Sequence, residues 1–383
     1  MPGFSIGQKK YVKTCYDNCD FKLYYNGKVA DIYVDRNDWA GVVKAVHDLK
    51  NDINSVTGMI PSVKNTPLLL QCHSIIIGTI GKSRMIDRLI SSGKLNVSEV
   101  VGKWETFVIQ VVQNPVPGVK TGLVIAGSDK RGTTYGIYDL SEQIGVSPWY
   151  WWADVTPQPM TTIIVNKGTY KQGPPSVKYR GIFINDEANL RDWCYYTNEP
   201  GTKPGPETYK KIFELLLRLK ANFIWAAMHP GADYFNKYPE TAQKADDWGI
   251  IQSSSHCDMM TRNNCNEWDS SYGNGEYDWT INEAGRRQYW EEAVQRGASY
   301  EIAWSMGMRG IHDSRVPNAA GWNEVVLTET IITAQREMLQ NYITPDVSKV
   351  FQVFCPYKEY LDIYNDGLYL PDVLATGYRI NPD

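Results

Sequence analysis

Five short apolar segments between residues 179 and 359 each run directly into a cluster of charged, aromatic or imidazole side chains. They cover residues 179–184, 222–228, 249–253, 301–305 and 350–354. Each has the length and composition of a buried β-strand, and helical patterns fill the intervals between them. Repetition of strand, polar tip and helix predicts a (β/α) barrel, in which the active site lies at the carboxyl ends of the strands.

The helices of this region are the clearest in the chain. Apolar side chains at helical spacing predict helices over residues 207–220, 282–297, 323–340 and 357–367. Five strands are present, or six if residues 372–376 form another, whereas a closed barrel of this kind has eight. We therefore expect a (β/α)8-type TIM barrel of which only the first five or six strands are present, and we expect the chain to be a fragment.

The region before residue 177 has the pattern of a separate α/β unit. Apolar positions at helical spacing predict a helix over residues 37–56, and a turn over 128–132 leads into a second predicted helix over 134–143. Buried strands are predicted over residues 74–80, 104–113, 121–126 and 161–165. The Gly/Pro-rich stretch 171–176 is the best candidate linker. We predict an N-terminal α/β accessory domain over residues 1–176 and the N-terminal part of a catalytic barrel over residues 177–383.

Composition excludes several classes of partner. The net charge is −4 and no basic stripe is visible, so we expect no nucleic-acid partner. No apolar run reaches the ~18–20 residues that span a bilayer, so we expect no membrane partner. The first 20 residues are polar and carry no secretory signal. Either the protein stays inside the cell or a signal was removed; we expect an extracellular or secreted location, with the cytoplasm as the alternative.

Aromatic residues are abundant, and cysteines are few and scattered. The chain has 13 Trp and 25 Tyr, whose flat faces suit stacking on sugar rings, although most such rings belong to cores. The seven cysteines show no metal-binding spacing, and only Cys257 and Cys265 flank one loop where they could pair in an oxidising compartment. Aromatic rings together with carboxylates favour carbohydrate as the substrate.

Several stretches of the second region resemble glycoside hydrolase family 115, the xylan α-glucuronidases. The matching stretches are YRGIFINDE at 179–187, YKKIFELLLRLKANFIW at 209–225, residues 254–256 and 259–260, GMRG at 307–310 with Asp313, and FCPYKE at 354–359. Residues 127–152 resemble the end of the accessory α/β domain that precedes the barrel in this family. The resemblance covers about residues 70–370.

The resemblance implies the removal of α-1,2-linked (4-O-methyl)glucuronic acid from xylan, with inversion at the anomeric carbon. It implies glucuronoxylan or aldouronic acid oligosaccharides as substrates. It also implies that the reaction uses no metal and no organic cofactor, and that the full-length form is a possible homodimer.

Carboxylates follow three of the predicted strands. Inverting hydrolysis of a glycoside needs two carboxyl groups, one to protonate the leaving oxygen and one to activate water. Asp313 and Glu359 follow neighbouring strands, so we predict that they form the working pair, and the resemblance points to the same positions. Which of them is the acid stays open. Asp186 and Glu187 are further catalytic candidates, as the base or an orienting group; alternatively, one caps a helix and the other binds a hydroxyl.

The remaining candidates are groups that bind sugar. Arg309 can bind the carboxylate of the substrate with its two-pronged guanidinium, hold Asp313 ionised, or form an ordinary structural ion pair. Lys358 can pair with the uronate or stay solvated. We predict that five further side chains bind the sugar, through hydrogen bonds to its hydroxyls or by stacking on its ring: Asn185, His229, His256, Trp225 and Tyr357. The alternative is a structural role or packing in the core.

Two other functions stay open. One is a glycosidase of another specificity, such as a retaining hexosaminidase-like enzyme, whose two carboxyl groups would lie about 5–5.5 Å apart. The other is a truncated relative that binds sugar without catalysing a reaction.

Overall fold

The computed structural model of the chain describes residues 9–67, 70–184, 189–199, 203–226, 230–370 and 374–375. Within these ranges the chain divides into two compact units. The first contains the chain up to Arg180 together with Phe213–Asn222 and Asp247–Gly249; the second contains the remainder. No helix in the described ranges is long and apolar enough to cross a membrane.

A six-stranded mixed sheet forms the centre of the first unit. Its strands, in spatial order, are β10 (Thr169–Gln172), β7 (Phe107–Gln113), β8 (Thr121–Gly127), β6 (His73–Thr79), β4 (Asp31–Val34) and β5 (Val63–Lys64). The last four are parallel, and β7 and β10 continue the sheet antiparallel. The central strands β6 and β8 are apolar and almost wholly buried, which is why their pattern is recognisable in the sequence.

The first unit also contains the helices α1 (Ala40–Thr57), α2 (Arg84–Ser91) and α3 (Lys130–Gln143). Helix α1 ends at Gly58, whose φ of 71° is readily adopted by glycine. Helix α3 begins earlier than predicted, because the Asp129 carboxylate accepts a hydrogen bond from the Gly132 N–H at 2.7 Å and caps the first turn. The predicted turn over residues 128–132 is therefore wrong for residues 130–132.

A second, antiparallel sheet of the first unit contains β1 (Val12–Lys13), β9 (Ile163–Val165), β2 (Phe21–Tyr25) and β3 (Lys28–Val29), in that order. Strands β2 and β3 form a hairpin around Asn26 and Gly27, which both have positive φ. Two such residues are what a tight hairpin turn with the twist of the flanking strands requires.

A buried carboxylate joins three segments of the first unit. Glu105 is almost inaccessible to solvent; its Oε1 lies 2.7 Å from Arg131 Nε, and its Oε2 lies 2.5 Å from Arg180 Nη2. The Asn222 side-chain amide donates a further hydrogen bond of 2.7 Å to Oε1. Since a buried charge is costly unless it is paired, these contacts hold residues 213–222 to the first unit.

In the described part of the second unit, six short parallel strands follow one another in chain order. They are β11 (Gly181–Phe183), β12 (Phe223–Trp225), β13 (Ile251–Ser253), β14 (Trp304–Met306), β15 (Gln352–Phe354) and β16 (Leu374–Ala375). A parallel bridge between Gln252 and Ile302 connects β13 to the segment that enters β14. All five predicted strands are present but shorter, with β14 ending one residue beyond its predicted segment, and the optional sixth is present as β16.

Helices occupy the intervals between these strands. They are α4 (Arg191–Tyr196), α5 (Pro206–Arg218), α6 (Pro239–Trp248), α7 (Glu283–Gly297), α8 (Glu324–Tyr342) and α9 (Glu359–Asn365). The apolar faces of α7, α8 and α9 pack with β14 and β15 in one core that is rich in aromatic and methionine side chains, including Trp290, Trp304, Met308 and Tyr360. The observed architecture is a mixed α/β fold with several sheets.

Candidate functional site

The candidate site lies in the second unit, at the carboxyl ends of β13, β14 and β15. His256 follows β13, Arg309 and Asp313 follow β14, and residues 357–359 follow β15. Because neighbouring parallel strands end at the same edge of a sheet, these side chains converge there.

Arg309 is the centre of this group, and its side chain is only 1% exposed. Its Nη1 lies 2.6 Å from Glu359 Oε2, and its Nη2 lies 2.9 Å from Asp313 Oδ1. Nη2 also donates a hydrogen bond of 2.6 Å to the Asp313 carbonyl oxygen. Since both nitrogens belong to one small planar group, the two carboxylate oxygens lie within about 8 Å of each other.

Two further side chains contact Asp313. Lys358 Nζ lies 2.6 Å from Asp313 Oδ2, and His256 Nε2 lies 3.2 Å from Asp313 Oδ1. The hydrogen bond to Asp313 raises the pKa of the Lys358 ammonium group, whose side chain is 48% exposed. Asp313 thus lies between a buried guanidinium, a half-exposed ammonium group and an imidazole.

Burial favours the neutral form of His256. Burial lowers its pKa, and this effect outweighs the opposite influence of Asp313; the nearby charges of Arg309 and Lys358 lower the pKa further. The imidazole packs against the Tyr357 ring with 4.3 Å between ring centroids. A neutral imidazole beside a carboxylate can donate one hydrogen bond and accept another, as recognition of a sugar hydroxyl requires.

Glu359 is fixed through both carboxylate oxygens. Oε2 pairs with Arg309, and Oε1 accepts a hydrogen bond of 3.0 Å from the Val316 backbone N–H. The side chain is 9% exposed, and the residue opens helix α9. Its position is therefore determined by its partners and leaves it little rotational freedom.

The backbone that carries these groups is unusual. His312, Asp313 and Lys358 have φ values of 51°, 64° and 53°, in the left-handed region that L-residues seldom occupy. Such conformations persist only where surrounding contacts hold them, and they concentrate at functional sites.

Residues that the sequence analysis did not identify hold this backbone. The Asn264 side chain accepts a hydrogen bond of 3.0 Å from the His312 N–H and donates bonds of 2.8 and 3.1 Å to the carbonyls of Cys257 and Gly310. It therefore connects the loop after β13 to the loop after β14. An asparagine in a polar loop carries no local signal for such a role.

Gln335 and Tyr360 hold the end of β14. The Gln335 amide exchanges two hydrogen bonds of 2.8 Å with the N–H and C=O of Gly307, and the Tyr360 hydroxyl accepts one of 2.8 Å from the Met308 N–H. Gln335 is a polar residue among the apolar positions of α8 and is buried. A polar residue on an apolar helix face was the signal in the sequence that could have indicated a structural role.

The other predicted site residues do not join this group in the described coordinates. Asn185, Asp186, Glu187 and His229 lie outside the described residues. Trp225 is buried, and its ring contacts Phe183 edge to face at 5.4 Å between centroids. The roles proposed for these residues stay predictions.

The cysteine pair considered above does not form a disulfide, because Cys257 and Cys265 are both free. The metal-ligating side chains of the described ranges form no group of three or more that could hold a metal ion.

Paired carboxyl groups at the carboxyl ends of parallel strands, beside an imidazole, an ammonium group and an aromatic ring, are typical of enzymes that hydrolyse glycosidic bonds. Comparison with known families gives the same class, since glycosyl hydrolase family 115 matches residues 172–376. The chain belongs to this family.

Two of the solved structures that are similar to the chain illustrate the range of likeness. The first is described as a family GH115 4-O-methyl-α-glucuronidase, BtGH115A, with specificity for decorated arabinogalactans; it is 38% identical, with a TM-score of 0.81 over 92% of this chain and 45% of that one. A chitobiase of Flavobacterium johnsoniae is 13% identical, with a TM-score of 0.50 over 94% of this chain and 57% of the other, which shows a shared fold alone. The chain thus spans less than half the length of BtGH115A. No curated protein matches it.

Proposed function

We propose that this protein removes α-1,2-linked (4-O-methyl)glucuronic acid from glucuronoxylan with inversion, and that Asp313 and Glu359 are the working pair. The observation that carries the proposal is the contact of one buried guanidinium, Arg309, with both carboxylates. Membership of family 115 and the likeness to a 4-O-methyl-α-glucuronidase support the choice of the uronic acid.

The parallel strands of the second unit support a barrel as the wider architecture. Strands β11 to β16 follow one another in chain order, as the strands of a (β/α)8 barrel do. We propose that they are its first six strands and that residues 1–176 are the accessory domain. We also propose that the protein is extracellular or secreted, and that its full-length form is a dimer.

The spacing of the two carboxyl groups is compatible with inversion. An inverting enzyme needs roughly 6.5–9.5 Å between them, so that water fits beside the anomeric carbon. The upper bound of about 8 Å between the two oxygens admits this separation, and it equally admits the about 5–5.5 Å of a retaining enzyme, so the anomer of the product decides between them. The carboxyl group that acts as the acid binds a proton before it protonates the glycosidic oxygen, and the other, ionised, takes a proton from the attacking water on the opposite face of the sugar.

Recognition of the substrate carboxylate falls to Lys358 in this proposal. Arg309 was a candidate for that contact, but its terminal nitrogens already engage Asp313 and Glu359. The Lys358 ammonium group also pairs with Asp313, but it is half exposed and has further N–H donors for an incoming uronate. Neutral His256 and the Tyr357 ring supply a hydrogen bond and an apolar face to the sugar.

A second substrate has support from one observation. BtGH115A is described as specific for decorated arabinogalactans, so glucuronic acid attached to arabinogalactan is the alternative to glucuronoxylan. The chemistry at the anomeric carbon is the same for both, and the residues that contact the remainder of the polysaccharide decide between them.

The test is incubation with aldouronic acid oligosaccharides and, separately, with glucuronylated arabinogalactan oligosaccharides, followed by proton NMR. We expect released uronic acid to appear first as the β-anomer, because inversion converts the α-linkage to that product. An α-anomer would indicate retention and the hexosaminidase-like alternative, and no release from either substrate would favour a sugar-binding relative.

Variants identify the residues responsible. Asp313→Asn and Glu359→Gln should each abolish turnover, because each removes a proton donor or acceptor, whereas Asp362→Asn, an exposed carboxylate on helix α9, is the matched control and should be active. Retention of near-wild-type rates by both site variants would reject this pair.

A further inference from the structure

A second concave site lies in the first unit and shares no residue with the candidate site. It has a volume of about 470 Å³, within the range of small-molecule pockets. The residues that matter here are Tyr33, Asp35, Arg36, Asn65, Arg84 and Arg88, which we call the arginine pocket.

The topology of the sheet places this pocket where α/β proteins bind ligands. Strand β4 lies between β5 and β6, and all three are parallel. The chain runs from β4 through α1 to β5 on one side, and then returns to β6 on the other. Such a reversal of strand order opens a crevice at the carboxyl ends of the strands. Residues 35–36 and 65 directly follow β4 and β5, and α2 follows β6.

Three arginines line the pocket, and their positive charges have few acidic partners. Arg36 and Arg88 are exposed and form no ion pair among the residues that the structure describes, and Arg84 has only a contact of 3.7 Å from its Nε to Asp35 Oδ2. Guanidinium groups bind carboxylates in a two-pronged manner. Three arginines that line one cavity therefore favour an anionic ligand.

The neutral and acidic residues of the pocket favour a sugar over a simple inorganic anion. The Asp35 side chain is 6% exposed, and its Oδ1 accepts a hydrogen bond of 3.0 Å from the Asn37 N–H. The Asn65 side chain donates a hydrogen bond of 3.1 Å to the Val34 carbonyl, which leaves its amide oxygen as an acceptor. A buried carboxylate repels a multiply charged anion but accepts hydrogen bonds from hydroxyl groups.

We propose that the arginine pocket is a non-catalytic binding site for a uronic acid. The uronate carboxylate lies between Arg36 and Arg88, and the sugar hydroxyls bind Asp35 and Asn65. The choice of a uronic acid as the ligand rests on the proposed function. The polysaccharide proposed as the substrate carries uronic acids as branches, so these are the acidic sugars that the protein would encounter. The pocket would hold one acidic sugar without cleaving it.

Methionine methyl groups give a separate reporter for each site. Met85 lines the arginine pocket, and Met308 is adjacent to Arg309 in the second unit. With methyl-¹³C methionine in the 383-residue chain, we titrate D-glucuronic acid and record both resonances, which Met85→Leu and Met308→Leu assign. The proposal predicts a saturable shift of the Met85 resonance. Glucose, which lacks the carboxylate, and sulfate, which lacks the sugar, should each bind there at least tenfold more weakly.

A double variant tests the residues. Arg36→Gln with Arg88→Gln should weaken the binding reported by Met85 at least tenfold. Lys28→Gln with Lys103→Gln removes the same net charge from exposed positions outside the pocket and should leave that binding unchanged. Unchanged binding in the arginine variant, or sulfate binding as tight as glucuronic acid, would overturn the proposal.

The two reporters keep this proposal separate from the proposed function. A Met308 response with no Met85 response would support the hydrolytic site and reject the arginine pocket. A Met85 response with no Met308 response would support the pocket and count against uronic-acid recognition at the candidate active site.

Discussion

Replacement of Arg309 by methionine tests the central contact of the candidate site. The variant keeps an unbranched side chain of similar length and removes the charge and the hydrogen-bond donors. In the native protein these donors serve Asp313 and Glu359, and the guanidinium is almost wholly buried. We therefore expect the free protein to lose stability, because a carboxylate is left without its partner.

The magnitude follows from the burial of each carboxylate. Glu359 is 9% exposed and would retain only the Val316 N–H, whereas Asp313 is 24% exposed and would retain Lys358. Removing one partner of a buried ion pair costs about 3–5 kcal/mol. Most of that cost should come from Glu359, so we expect a loss of about 4 kcal/mol in the free energy of unfolding.

A double-mutant cycle isolates this term. Glu359→Gln keeps the shape of the side chain and removes its charge, so Arg309→Met should be less costly in that background by about 2 kcal/mol or more. The assay is urea denaturation, followed through the methyl resonance of Met308 so that the second unit is observed by itself.

A role of Arg309 in binding the substrate carboxylate gives a different result. In that case Arg309→Met would raise KM and leave the stability of the free protein unchanged. A stability loss below about 1 kcal/mol, with no coupling to Glu359, would refute the reasoning from ion pairing.

Two further predictions concern the second unit. Because burial lowers the pKa of His256, the unfolded chain binds more protons than the folded protein as the pH falls below about 6.5, and stability is lost there. Urea denaturation at pH 7.5 and 5.5 should therefore show a larger loss in the wild type than in His256→Gln, and equal losses would contradict this. Gly181→Ala should cost about 3 kcal/mol or more, since its Cβ would lie 1.8 Å from a carbonyl oxygen of β12. Gly231→Ala, where a Cβ meets nothing within 4 Å, is the control, and similar losses in both would reject the argument from close packing.

Some strands could be predicted because the apolar pattern that identifies them lies within a few consecutive residues. Strands β12, β13 and β15 lie inside the predicted segments and β14 overlaps its own, since buried parallel strands are continuous apolar runs. Strands β2 and β4 were missed because they are short and interrupted by charged or polar residues, as in FKLYY and DIYV. The Asn26-Gly27 turn between β2 and β3 was an unused hairpin signal.

The sequence was sufficient to predict which residues form the candidate site, but not which of them contact one another. Placement of Asp313 and Glu359 after neighbouring parallel strands follows from strand order alone. The three roles left open for Arg309 could not be separated from the sequence, because a guanidinium that binds a substrate and one that binds two carboxylates have the same local sequence. Asn264 and Gln335 were missed because their partners are backbone groups of distant segments.

Apolar periodicity and residue chemistry were sufficient to indicate an α/β chain with parallel strands and the acidic and basic side chains at their ends, and the resemblance of short motifs indicated the family. Both are properties of a few consecutive residues, so they can be read without coordinates. Only the tertiary structure shows that Arg309 is shared between two carboxylates, that His256 is buried beside Asp313, and that three arginines meet in a pocket of the first unit. Distances, burial and the pKa of His256 depend on which remote segments pack together, and that is decided by the whole fold.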